Sequence, residues 1–217
     1  MRIKSLLLIT AGVTIAMAAG IWLSIKLNDT SSSTASPMLK AVDIHGAMLP
    51  VARNIVIPAL LKDDGTVFSK ADLEGHWSVM FFGYTNCPDI CPTAMAVLKQ
   101  AKDKAASEGT VFPQVVFVSV DPDRDTIEML GEYVRYFDES YLGVTGEPQL
   151  IDALARQMSV VYMRMPSETD DPNNYTVDHS SAMLLLNPKG QLSAFLTAPH
   201  SPAGILDSIK TVIANSP

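Results

Sequence analysis

Val79-Met80-Phe81-Phe82-Gly83-Tyr84-Thr85-Asn86-Cys87-Pro88-Asp89-Ile90-Cys91-Pro92 is an apolar run that gives way to a short polar connection carrying both cysteines of the chain. A continuous run such as Val79–Phe82 reads as a strand buried on both faces, so the two sulfurs sit where that strand ends. Pro92 suits the first turn of a helix, and the spacing of Ala94, Val97, Leu98 and Ala101 on one face extends that helix to about Glu108. The cysteines therefore enter a helix N-terminus, where the positive end of the dipole favours thiolate. A disulfide closing so short a loop would constrain the unfolded chain only slightly, so the pair points to chemistry rather than to a staple.

Outward from this unit the pattern repeats. Val115–Val120 is a β-branched strand, and Asp121-Pro122-Asp123-Arg124-Asp125-Thr126 leads from it into a helix over Ile127–Phe137 with Asp125 or Thr126 as N-cap. A helix over Gln149–Met158 and a strand over Val160–Met165 follow, then an acidic loop over Ser167–Asn174. Ala182–Leu186 and Gln191–Leu196 flank the turn Asn187-Pro188-Lys189-Gly190 as a hairpin, and Pro202–Ala214 closes the chain as a helix. Upstream, Ile55–Leu61 and Thr66–Phe68 flank Asp63-Asp64-Gly65 as a second hairpin, and Asp72–Gly75 is a short turn or helical piece. This order predicts an α/β layer sandwich with a mixed sheet and flanking helices.

Of the four histidines, His179 stands immediately before the strand Ala182–Leu186. In a sheet of this order that position returns to the strand end bearing the cysteines. Two thiolates and an imidazole suit Cu(I) trigonally, and Cu(II) with an added ligand. Asp178 is a candidate partner for the imidazole. His45, His76 and His200 have no comparable placement. Met163 and Met165 share a strand face and read as core packing rather than as soft ligands. Asp121 and Asp125 read as organisers of the strand-to-helix turn, with Arg124 as their charge partner. A hard-cation loop is excluded because the downstream bidentate glutamate is missing.

The 217-residue chain is 47% hydrophobic, enough for one domain with a substantial core. Residues 40–217 carry 13 basic and 22 acidic groups, a net charge of −9 that argues against nucleic acid as a partner. Ser5–Ile25 is uncharged and apolar over 21 residues, about 31 Å as a helix, which spans a bilayer core. Arg2 and Lys4 precede it, which predicts a single-pass anchor over 1–27 with its N-terminus in the cytoplasm and the domain outside it. The rival is a signal peptide cleaved after Ala16-Met17-Ala18. No cysteine follows closely enough for a lipid anchor. Residues 28–40, polar and small, read as a flexible tether to a domain over 41–217.

Phe81–Pro92, Val118–Thr126 and Val177-Asp178-His179-Ser180 together resemble the SCO/SenC family of membrane-anchored, thioredoxin-fold copper proteins, over a stretch from about Pro50 onward. The resemblance implies Cys87, Cys91 and His179 as ligands of one copper ion, Cu(I) or Cu(II). It implies a monomer in the bacterial inner membrane with its domain in the periplasm. It also implies a metallochaperone whose partner is subunit II of cytochrome c oxidase, at the CuA centre. The alternative is a thiol–disulfide oxidoreductase that uses Cys87 and Cys91 as a redox pair without metal. Against it, thioredoxin-like enzymes usually keep two residues between the cysteines and place a cis-proline where this chain offers His179. A thiol peroxidase fits the close cysteine pair less well still.

Overall fold

The computed structural model describes residues 44–165 and 174–216, with Met17, Gly20, Ile21, Trp22 and Ser24 as helical positions upstream. The chain divides into two compact units, Met1–Lys40 and Ala41–Pro217, and the sheet and its helices belong to the second. The predicted anchor and tether fall almost wholly outside the described residues. Among those that are described, no helix is long and apolar enough to cross a membrane. The acidic loop over Ser167–Asn174 likewise lies outside them except for Asn174.

Ten strands and four α-helices alternate among the described residues of the domain. The strands are β1 (Gly46–Asn54), β2 (Leu60–Lys62), β3 (Val67–Phe68), β4 (Ser78–Gly83), β5 (Gln114–Ser119), β6 (Leu142–Thr145), β7 (Tyr162–Met165), β8 (Thr176–His179), β9 (Met183–Leu186) and β10 (Gln191–Leu196). The helices are α1 (Ile90–Ser107), α2 (Ile127–Phe137), α3 (Pro148–Gln157) and α4 (Pro202–Asn215). Eight strands form one mixed sheet in the order β1-β10-β9-β4-β5-β6-β2-β3. β4, β5 and β6 run parallel, and β9 pairs antiparallel with β4. Every residue of β4 is buried, as its unbroken apolar run requires at the sheet centre.

Two of the helices begin at side-chain caps that their sequence supplies. Thr126 caps α2 by accepting from the Met129 amide at 3.3 Å, and Ser201 caps α4 by accepting from Gly204 at 3.1 Å. α1 buries Ala94, Met95, Leu98, Ala101 and Ala105 and packs against α4. Gly109, at φ +67°, turns the chain out of it in the left-handed region that glycine enters without penalty.

The predicted order of elements holds, with three strands added. β1 was not anticipated because it is an edge strand, largely exposed and interrupted by a shift in register between Met48 and Arg53 against β10. β6 is short and contains Gly143. β8 takes in the segment read as a loop before β9. In turn the strand expected over Ile55–Leu61 is reduced to Leu60–Lys62, paired antiparallel with β3 as the hairpin requires.

β7 and β8 pair only with each other, as a two-stranded ribbon apart from the main sheet. This corrects the reading of Met163 and Met165 as core residues: they are 62% and 37% exposed. A ribbon outside the sheet has no second core face for that side of β7 to cover.

Candidate metal centre

The carboxyl ends of β4 and β5, the first turn of α1 and the end of β8 meet at one edge of the sheet. Cys87 lies half-buried in the connection after β4. Cys91 is fully buried and is the second residue of α1, which starts at Ile90 where Pro92 suggested a start around Cys91 to Thr93. Proline is tolerated there because the first-turn amides have no intrahelical partner. The Asp89 side chain makes no capping bond; instead the Cys91 amide donates to Cys87 Sγ at 3.4 Å. A sulfur thus takes the place of the capping oxygen, at the positive end of the helix.

His179 ends β8 and brings its imidazole to the same point. Its Nε2 lies 3.2 Å from Cys91 Sγ, and the ligand atoms of Cys87, Cys91 and His179 all fall within 4.8 Å of one another. Bonds of about 2.0–2.3 Å to nitrogen and sulfur place trigonal ligands roughly 3.5–4 Å apart, so small side-chain movements close the set on one ion. The imidazole tautomer fits that use. Nδ1 lies 3.1 Å from the Ser180 carbonyl, which can only accept, so Nδ1 carries the proton and Nε2 presents its lone pair to the sulfurs. The partner suggested by sequence, Asp178, is exposed and does not make this bond; a backbone carbonyl does.

The two sulfurs share their protons unequally. A hydrogen bond from Cys91, with lesser help from the Cys91 amide, outweighs partial burial and holds the Cys87 thiol down to about 3. The same bond and deep burial push the Cys91 thiol far above its usual range. The metal-free pair is a thiolate at Cys87 facing a thiol at Cys91. Alkylation of the reduced protein by iodoacetamide should therefore modify Cys87 at a rate nearly flat between about pH 5 and pH 8, leaving Cys91 untouched. A rate climbing about tenfold per pH unit would mean that Cys87 is an ordinary thiol.

Asp121 and Asp125 are both 1% exposed and lie in the turn after β5. Asp125 accepts from the Thr85 amide at 2.9 Å, from Thr85 Oγ1 at 2.6 Å and from Ser119 at 2.7 Å, fixing the connection that carries Cys87. Asp121 pairs with Arg124 Nε at 2.5 Å. His76 lies against Gln114 at 2.6 Å on the sheet's opposite edge, and His200 Nε2 meets the Ser181 carbonyl at 2.8 Å. His45 uses its amide to bond Ser208 at 3.3 Å.

Three residues that shape the site were not singled out in sequence. Phe81 and Tyr84 each meet the His179 ring edge-on, with centroids 5.9 Å away. Gly83 is where the backbone of β4 passes beneath the buried sulfur: a Cβ there would stand 2.6 Å from Cys91 Sγ and 2.9 Å from the Phe117 ring. A glycine inside an otherwise bulky strand is the available sign of such an approach.

The family model described as SCO1/SenC matches residues 59–214. The chain is 38% identical over 151 residues to the mitochondrial SCO1 homolog 1 of Arabidopsis thaliana, covering 70% of this chain and 44% of that protein. It spans about half the length of the curated relatives it matches. Among solved structures, Arabidopsis thaliana ScoI with copper bound is 34% identical, with a TM-score of 0.67 over 78% of this chain and 98% of that one. Yeast Sco1 with copper bound is 28% identical, with a TM-score of 0.68 over 76% of this chain and 91% of that one.

Proposed function

This chain belongs to the SCO1/SenC family, and from that premise we propose that it binds one copper ion through Cys87, Cys91 and His179 and assists assembly of the CuA centre of cytochrome c oxidase. The observation that carries this reading is the convergence of two sulfurs and a correctly protonated imidazole within 4.8 Å. Soft thiolates with one imidazole favour Cu(I), and the same set takes Cu(II) when another oxygen or nitrogen joins it. The relatives with copper bound support the same cargo. Delivery requires access. The cleft over the site, of about 530 Å³, is lined by Cys87, Pro88, Ile90, Asp178 and His179 among others, and opens to solvent.

The domain acts outside the cytoplasm, tethered to the membrane by Ser5–Ile25, with subunit II of the oxidase as its partner. The uncharged length of that segment and the preceding Arg2 and Lys4 support this placement. The test is oxidase activity and CuA content in cells carrying His179→Ala, at limiting and at excess copper. A defect at limiting copper that added copper repairs is the expected result. Full activity at limiting copper would reject delivery and favour thiol exchange, which needs both cysteines but no imidazole.

A further inference from the structure

We propose that Arg124 and Tyr175 form a pin that fixes the β7–β8 ribbon to the turn after β5 and so positions His179 against the cysteine pair. The inference rests on the copper-binding reading for its functional consequence, though not for its geometry. The ribbon has no strand partner in the main sheet, so side chains and its short connections to α3 and β9 set its position. Apart from the Tyr162 hydroxyl of β7, which donates to Asp152 on α3, the polar side chains gather at one place. Arg124 donates to Asp121 at 2.5 Å and to the Tyr175 carbonyl at 2.9 Å. Its guanidinium lies 3.6 Å over the Tyr175 ring and 5.6 Å from the Tyr84 ring. The Tyr175 hydroxyl donates to the other oxygen of Asp121 at 2.5 Å. From β7, Arg164 reaches Asp123 at 2.5 Å while stacking 4.1 Å over the same Tyr175 ring. Both strands of the ribbon are thereby tied to one turn.

The tie reaches His179 through Tyr84. Its ring neighbours both Arg124 and the imidazole, and its hydroxyl accepts from the Val177 amide at 3.3 Å, two residues before His179. Arg124 is suited to this role because its planar fork can bond two acceptors and stack on aromatic rings at once, which lysine cannot. Tyr175 touches none of the three proposed ligands, so it is a positioning residue.

Copper selectivity reads out the pin. Two thiolates alone satisfy Cu(I), whereas Cu(II) depends on the imidazole. Tyr175→Leu removes both the stacking plane and the bond to Asp121; Tyr175→Phe removes only the bond. Tyr175→Leu should weaken Cu(II) binding about 10- to 100-fold, the range for partners that orient a ligand, with Cu(I) affinity within about threefold of the parent protein. Tyr175→Phe should fall between. In the metal-free protein, amide exchange at Val177 should quicken at least tenfold in Tyr175→Leu while β4 and β5 keep their protection.

Unchanged exchange at Val177 would overturn the pin, as would equal loss of protection in β4 and β5, which would mark general destabilisation. Local loss at Val177 with unaltered Cu(II) affinity would overturn it too. Local loss in a protein whose parent binds no copper would uphold the pin and reject the copper-binding reading instead.

Discussion

Alanine at both Cys87 and Cys91 is expected to abolish stoichiometric copper binding by the reduced domain, whereas the parent protein is expected to take up one ion per chain. The reason lies in what would remain. His179 and one backbone carbonyl offer a single imidazole, and no other group of three or more Cys, His, Asp or Glu side chains converges among the described residues. His179→Ala should behave differently: Cu(I) stays bound between two thiolates, and Cu(II) is weakened far more. Copper content by atomic absorption, together with the thiolate-to-Cu(II) absorption band, separates these cases. One copper per chain in the double variant would remove the centre from Cys87 and Cys91 altogether.

The second large effect is expected at Gly83. A methyl group there would press on a fully buried sulfur at 2.6 Å and on a buried aromatic ring at 2.9 Å, and both lie in the packed centre of the sheet. Neither is the free end of a flexible chain. Overpacking of this kind costs about 1–3 kcal/mol, and a displaced Cys91 sulfur would disturb its approach to Cys87 and His179. Gly83→Ala should thus lower the unfolding midpoint in urea and weaken both Cu(I) and Cu(II). This is unlike Tyr175→Leu, which spares Cu(I). A variant with the stability and copper affinities of the parent would show that α1 can shift as a body to make room.

The centre of the fold was legible because β4, α1 and β5 write their burial plainly into sequence. β4 is continuous and apolar, and α1 repeats small and apolar residues along one face. β1 and β8 were not legible in this way. The exposed positions of β1 follow neither strand nor helix regularity, β8 alternates but over four residues only, and their pairing comes from β10 and β7. The meeting of Cys87, Cys91 and His179 could be argued from strand order, since order alone decides which loops share an edge. What holds the imidazole could not. The choice between the Asp178 carboxylate and the Ser180 carbonyl depends on ring rotation and on the local course of the backbone. The methionines of β7 were misplaced for a related reason: same-face spacing does not say whether a core lies on that face.

The site also draws on contacts of very different reach along the chain. Cys87 and Cys91 meet across four residues, within a unit that needs only one helix turn and one strand end. The meeting with His179 spans 88 residues, and long closures of this kind form late because their entropic cost precedes their reward. A newly made chain therefore presents an adjacent thiolate and thiol before the imidazole arrives to cover them. In an oxidising compartment that interval exposes the pair to disulfide formation or to capture of the wrong metal. Maturation of this protein would then depend on a supply of reductant as much as on a supply of copper.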